Sequence, residues 1–237
     1  MTNQVLSRNL SQIREYTKSN EELGKSHHFL YNSPINKNEN RAEVIIIGLN
    51  PGETDKDFDY KENLPTEESS EFNFHEKNGR GSSSKRWFQL CEQYAQTDRI
   101  VLTEFFFWSS PQVGEDKDKG VKFSERFGYE FKDCPHFNFC RDKNIDLIKA
   151  HKPKLILCPG VENHELFASI YDLDHVGIFR SNKDKRQRQA IVHYDLCGVP
   201  FIFTPHWRTG FVSNIEKSFI IDYLERTTKL TTSIAKS

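Results

Sequence analysis

Glu43-Val44-Ile45-Ile46-Ile47-Gly48-Leu49-Asn50-Pro51-Gly52 decides the fold of this chain. Successive side chains of a strand alternate between its two faces, and Val44 to Ile47 are all apolar and β-branched. The run therefore reads as a strand buried on both faces, as in the centre of a parallel sheet. Gly48, Pro51 and Gly52 favour a tight turn at its carboxyl end, with Asn50 at the crest. Open α/β sheets place their ligands at that end of their parallel strands. Asn is also well tolerated in turns, so Asn50 reads either as a working side chain or as a loop former.

Similar runs extend the pattern in both directions. Ile100 to Trp108 reads as a strand, apolar except for Thr103 and Glu104 at its middle. Pro153 to Gly160 reads as a third buried strand ending in a turn. Gln189–Tyr194 and Val199–Phe203 read as two more, joined through Cys197-Gly198. Helices are expected over residues 1–24, where Leu6, Leu10, Ile13 and Tyr16 recur at helical spacing, and from Ser84 as N-cap. Others are expected over 145–150, near 163–171 and over 214–226. Residues 25–41, 53–84, 112–135 and 180–188 read as loops. Strands alternating with helices predict a three-layer α/β/α fold around a mostly parallel sheet. The chain divides into an N-terminal helix and connecting loop (1–40), a main domain (41–226) and a flexible tail (227–237).

Bulk properties narrow the function classes. A net charge of −1 and a sequence pI near 6.8 exclude a globally basic nucleic-acid binder, so any such surface must be local. The five cysteines are odd in number and scattered, with no signal peptide ahead of them. Free thiols in a reducing cytoplasm are expected. No apolar run reaches transmembrane length, so no membrane partner is expected, and a monomer is expected.

Gly48-Leu49-Asn50-Pro51-Gly52 after a buried strand, together with Thr204-Pro205-His206 after the last strand, resembles the two signature motifs of the uracil-DNA glycosylase superfamily. The first is similar to the G-x-N-P-G form of its mismatch-specific and single-strand-selective branches. The second is degenerate, because the family usually carries His-Pro-Ser or Asn-Pro-Ser there. The resemblance covers about residues 40–226. It implies a central four-stranded sheet, and it implies a monofunctional enzyme that flips a base and hydrolyses its N-glycosidic bond without a cofactor.

Carried over position by position, the resemblance assigns Asn50 to holding the attacking water. A neutral amide can orient water but cannot take its proton. Gly48 and Gly52 would let the backbone approach the flipped nucleotide and donate N–H groups to it, with Leu49 and Pro51 of the same turn also binding substrate; the base must leave the stack to be reached. Thr204 stands where the family has a His or Asn that assists the leaving base, a clear departure. His206 replaces a phosphate-binding Ser and could bond the phosphate or the base, or face solvent. Arg208, with Trp207, corresponds to the wedge that fills the vacated duplex.

The base-reading position falls on Thr103-Glu104-Phe105, where uracil-cleaving branches have an Asn. An ionised Glu104 would repel uracil O4 and suit the N4 amino group of cytosine. With a raised pKa it could also donate to cytosine N3 and so improve the leaving group. The alternative is a Glu104 ion-paired to a loop Lys or Arg. Excision of ordinary cytosine would destroy the host genome, so a further mark is required. The aromatic-rich 53–84 loop, with Phe72 or Phe74 stacking on the base, could enclose a bulky C5 substituent such as the sugar of glucosylated hydroxymethylcytosine in phage DNA. Antiviral defence is then the expected role. A uracil or mismatch repair glycosylase, a non-catalytic modified-DNA binder and a nucleotide hydrolase remain as alternatives.

Arg80, Lys85, Arg86, Lys185 and Arg186 fit phosphate contacts beside the cleft, or simply a solvated face. Cys134, His136 and Cys140 have no evident fourth ligand and no standard finger spacing, so no metal is expected.

Overall fold

The computed structural model describes residues 2–26, 29–31, 33–34, 41–51, 100–110, 123–180, 189–205 and 214–234. Contacts group the chain into two compact units, each assembled from three stretches. One comprises Met1–Ser33, Gly48–Phe72 and Thr103–Ala150, and the other Pro34–Ile47, Asn73–Leu102 and His151–Ser237.

Ser33, Gly48 and Thr103-Glu104 belong to the first unit, and the second holds the rest of the sheet. The strands of the sheet are β1 (Ser33–Pro34), β2 (Val44–Gly48), β3 (Ile100–Glu104), β4 (Leu155–Pro159), β5 (Asp174–Arg180), β6 (Gln189–Leu196) and β7 (Val199–Thr204), in the spatial order β1-β3-β2-β4-β7-β6-β5. Pairing is parallel at the centre: Ile45 lies opposite Ile156 on β4, and Leu157 lies opposite Ile202 on β7. The carboxyl ends of β2, β4 and β7 therefore share one edge of the sheet. Val44 to Ile47 and Leu155 to Pro159 are buried throughout, as a central strand covered on both faces requires.

The fold is α/β with a mostly parallel centre, as expected, but the four-stranded sheet is corrected. Six strands of five to eight residues and the two-residue β1 are present among the described residues. β6 pairs antiparallel with both β7 and β5. β5 escapes a search for buried runs because it lies at the sheet edge, and all its residues except Gly177 are exposed. The β6–β7 hairpin turns at Cys197-Gly198, both at positive φ, the geometry of a two-residue turn that matches strand twist. Helices α4 (His164–Tyr171) and α5 (Asn214–Ile234) complete this unit, and α5 packs on β6 and β7. α5 continues past Arg226 to Ile234, so most of the expected flexible tail is helix.

The other unit is helical and aromatic. It holds α1 (Thr2–Ser19), a 3-10 turn (Glu21–Lys25), α2 (Phe123–Phe127), a second 3-10 turn (Phe131–Asp133) and most of α3 (Phe137–His151). Residues 112–135 are thus not all loop, and α3 begins eight residues before the expected Ile145. β3 ends at Glu104 rather than Trp108. Phe105 to Trp108 leave the strand and become core: Phe105 packs on Phe137 at 4.5 Å, and Phe106 meets Phe123 and Phe127, each at 5.4 Å. Burying such rings is the largest apolar contribution available to this unit. His136 ties α1 to α3, with Nδ1 2.9 Å from the Tyr16 hydroxyl and Nε2 3.0 Å from a Glu22 carboxylate oxygen. No helix among the described residues is long and apolar enough to cross a membrane.

Candidate functional site

Past the end of β2, Gly48 to Pro51 run beside Phe105 to Ser110. Phe105 N–H donates to the Gly48 carbonyl (2.8 Å), Phe106 N–H to Leu49 (3.0 Å) and Ser110 N–H to Pro51 (3.1 Å). These bonds replace the ladder that the glycine- and proline-containing turn can no longer continue, and they hold its crest in place.

Asn50 is fixed on this frame by its amide nitrogen. Nδ2 donates to the Pro51 carbonyl at 3.0 Å and to Ser110 Oγ at 2.6 Å. A carbonyl only accepts, so the nitrogen must face Pro51, and the orientation of the carboxamide follows from chemistry. Both amide hydrogens are used. What the side chain has left is its oxygen, an acceptor suited to holding a water and unsuited to deprotonating it.

Glu104 sits against the same turn. Its carboxyl lies over the Cα of Gly48: a Cβ there would be 2.9 Å from Glu104 Cδ and 3.1 Å from Oε1, and would overlap Oε2. Only glycine leaves room for it. Glu104 is 7% exposed, and its Oε2 has no hydrogen-bond partner among the described residues. Burial pushes its pKa up to about 8, and no charged group among the described residues offsets that burial. The expected alternative, a salt bridge to a Lys or Arg, is not formed among the described residues. Burial thus favours the protonated form of Glu104 at neutral pH, in which one O–H can donate and one carbonyl oxygen can accept.

The main chain beneath Glu104 is held by α3. Asn144 Nδ2 donates to the Glu104 carbonyl oxygen (2.9 Å), and Thr103 Oγ1 donates to Asn144 Oδ1 (2.9 Å). Thr103 is wholly buried with its hydroxyl committed in this way, and Phe105 is 1% exposed. Both belong to the core instead of offering the ligand contacts expected of them. Leu49 is half-buried and Pro51 buried. Thr204 closes β7 in the sheet unit, where its carbonyl accepts from Gly160 N–H at 2.8 Å. Its hydroxyl is buried without a partner among the described residues.

Gly52, Phe72, Phe74, Arg80, Lys85, Arg86, Lys185, Arg186, His206, Trp207 and Arg208 lie outside the described residues; of the expected set the structure brings together Gly48, Leu49, Asn50, Pro51, Thr103, Glu104 and Phe105, with Thr103 and Phe105 in the core beneath Glu104. It adds two that sequence reasoning missed. Ser110 was signalled by Ser109-Ser110 closing an apolar run, small polar residues placed where only a buried role explains them. Asn144 was signalled by an Asn inside an otherwise favourable helical run, an unfavourable position unless the side chain has a partner. No protein-family model and no curated protein matches this chain, so the site is read from its chemistry.

Proposed function

We propose that this protein is a monofunctional DNA glycosylase that flips a base and hydrolyses its N-glycosidic bond, leaving an abasic site. The observation that carries this reading is the pairing on one turn of an oriented acceptor and a neutral acid. Asn50 Oδ1 holds a water for attack at the sugar C1′, and Glu104 addresses the base. As the C1′–N1 bond breaks, its electron pair leaves with the base. A proton delivered by Glu104 to N3 lets cytosine depart neutral, and the proton of the attacking water passes to solvent. Most of the barrier is lowered by stabilising charge that develops on sugar and base.

A protonated Glu104 changes the specificity argument. Its O–H and carbonyl match cytosine N3 and the N4 amino group, but they match uracil O4 and N3–H equally well. Repulsion of uracil requires an ionised carboxylate, which burial disfavours. Cytosine remains the first reading, because it is the base that needs the proton to leave. A C5 mark such as the glucosylated hydroxymethyl group of phage DNA would then separate target from host, giving a role in antiviral defence. Uracil is the second reading, favoured by the neutral carboxyl.

Oligonucleotides carrying uracil, cytosine, hydroxymethylcytosine or its glucosylated form test this directly. Base release followed by alkaline strand cleavage should appear for the glucosylated base and fall at least about 100-fold in Asn50→Ala, the scale of one oriented catalytic contact. Release from uracil alone selects the second reading. No release from any strand, with binding retained, overturns the enzyme and leaves a DNA-binding module.

A further inference from the structure

Two aromatic side chains on the outside of the sheet unit have no part in the reaction proposed above. Phe179, near the end of β5, is 37% exposed, and Phe219 of α5 is 43% exposed. Both lie against one ring: Tyr223 stands 4.8 Å from Phe179 and 6.5 Å from Phe219. Phe219 and Tyr223 are one helical turn apart on α5 and so share a face of the helix. Tyr223 is anchored, because its hydroxyl lies 2.7 Å from His193 Nδ1 on β6. Gly177, on the same strand face as Phe179, gives that ring bare backbone to lie on; a Cβ there would meet it at 3.7 Å. The three rings thus form a held platform.

A single exposed apolar residue needs no explanation, whereas two rings set on a third offer a π surface to a planar ligand. Val176 and Ile178 of β5 are exposed too, but they are aliphatic, and Ile178 alternates onto the other face of the strand. Nucleobases stack on aromatic rings whatever their sequence. Charge decides between a base and an apolar segment of a protein. Ser181 to Arg188, which follow β5 directly in the sequence, hold Lys183, Lys185, Arg186 and Arg188 against a single Asp184, in a chain whose net charge is −1. On α5, the carboxylate of Asp222 beside Tyr223 is neutralised by Arg226 at 2.8 Å. Rings followed by a run of cations suit a strand whose bases stack while its phosphates are paired, and an apolar peptide would leave those cations unused. We propose that Phe179, Tyr223 and Phe219 form a stacking platform for the bases of an unpaired DNA strand, a contact additional to the one at the Asn50–Glu104 turn. The proposal deepens the DNA reading above and rests on it, adding a grip on single strands that is indifferent to sequence.

The probe is a dye-labelled oligothymidylate single strand, which holds neither uracil nor cytosine and so isolates binding from base release. In anisotropy titrations, Phe179→Ala and Phe219→Ala should each weaken binding about tenfold, the loss of one stacked base. Phe219→Trp should bind at least as tightly as wild type. Phe219→Leu keeps apolar area without a ring and should fall with Phe219→Ala. Both phenylalanines are exposed, so folding is retained, and circular dichroism checks it. A wild type that does not bind the strand overturns the proposal, as do alanine variants that bind like wild type. Full binding by Phe219→Leu also overturns it and assigns the face to an apolar protein segment. Base release from uracil and marked-cytosine strands is scored separately. Release with binding indifferent to the rings removes the platform and keeps the glycosylase; ring-dependent binding with no release from any strand keeps the platform and removes the glycosylase.

Discussion

The contact between Gly48 and Glu104 is where one atom decides the site. Any side chain at residue 48 competes with the Glu104 carboxyl for the same space, so Gly48→Ala must push that carboxyl away. Displacing well-packed atoms costs about 1–3 kcal/mol. In a double-mutant cycle, Gly48→Ala alone should destabilise the protein by about that amount, whereas the same change in a Glu104→Ala background should cost much less. Equal costs in the two backgrounds, read from urea melts, would show that the carboxyl does not occupy the space over Gly48. The need for a small residue at 48 was legible as turn chemistry; its real cause, a carboxyl from another strand, is a long-range contact that no local pattern encodes. Asn50 was readable as a candidate. Its orientation was not, because Ser110 lies sixty residues away in the sequence.

At the scale of elements, α3 acts as a bolt for the end of β3. Asn144 accepts from Thr103 and donates to the Glu104 main chain, so a single helix side chain satisfies two buried groups of one strand. Asn144→Ala leaves both without that partner and should lower stability by about 2–3 kcal/mol, measured by urea denaturation. A loss under about 0.5 kcal/mol would show the bolt to be dispensable. The central strands were legible because burial on both faces writes continuous apolar runs. β5 was not, since an exposed edge strand carries no such signature. The aromatic run at Phe105 to Trp108 misled for the opposite reason: bulky rings favour strands, yet here they serve the core of the helical unit after the ladder has ended. α3 was shortened because Phe137-Asn138-Phe139-Cys140 is poor in helix formers, and packing of Phe137 overrides that preference.

For the whole molecule, buried titratable groups set the dependence of stability on pH. Burial lowers the pKa of His136, His151, His164 and His193 below the ordinary 6.5. Their contribution is complete above pH 6.5 and is lost as pH falls below it, because the unfolded chain binds those protons more readily. Glu104 acts in the other sense. Its folded pKa of about 8 lies above the ordinary 4.5, so its contribution is complete below 4.5 and is lost as pH rises through 8. Stability should therefore peak near pH 6.5–7, and above pH 9 the buried Cys134, Cys140 and Cys158, whose thiols burial also holds above the ordinary 9.0, steepen the alkaline loss. Glu104→Gln keeps the shape and removes the titration. At pH 9 it should be about 1–3 kcal/mol more stable than wild type, with little difference at pH 5. A variant that tracks wild type across this range in thermal melts would mean that Glu104 is ionised in the folded protein.

The carboxyl seated on Gly48 also makes this chain consume an ion from its surroundings when it folds. At pH 7 the unfolded Glu104 has released its proton and the folded one has recovered it. Refolding wild type should thus withdraw close to one more proton per chain than refolding Glu104→Gln, and the buffer must supply it. Calorimetric refolding heats in phosphate and in Tris differ by the buffers' own ionisation enthalpies, so the difference between the two proteins counts that proton directly.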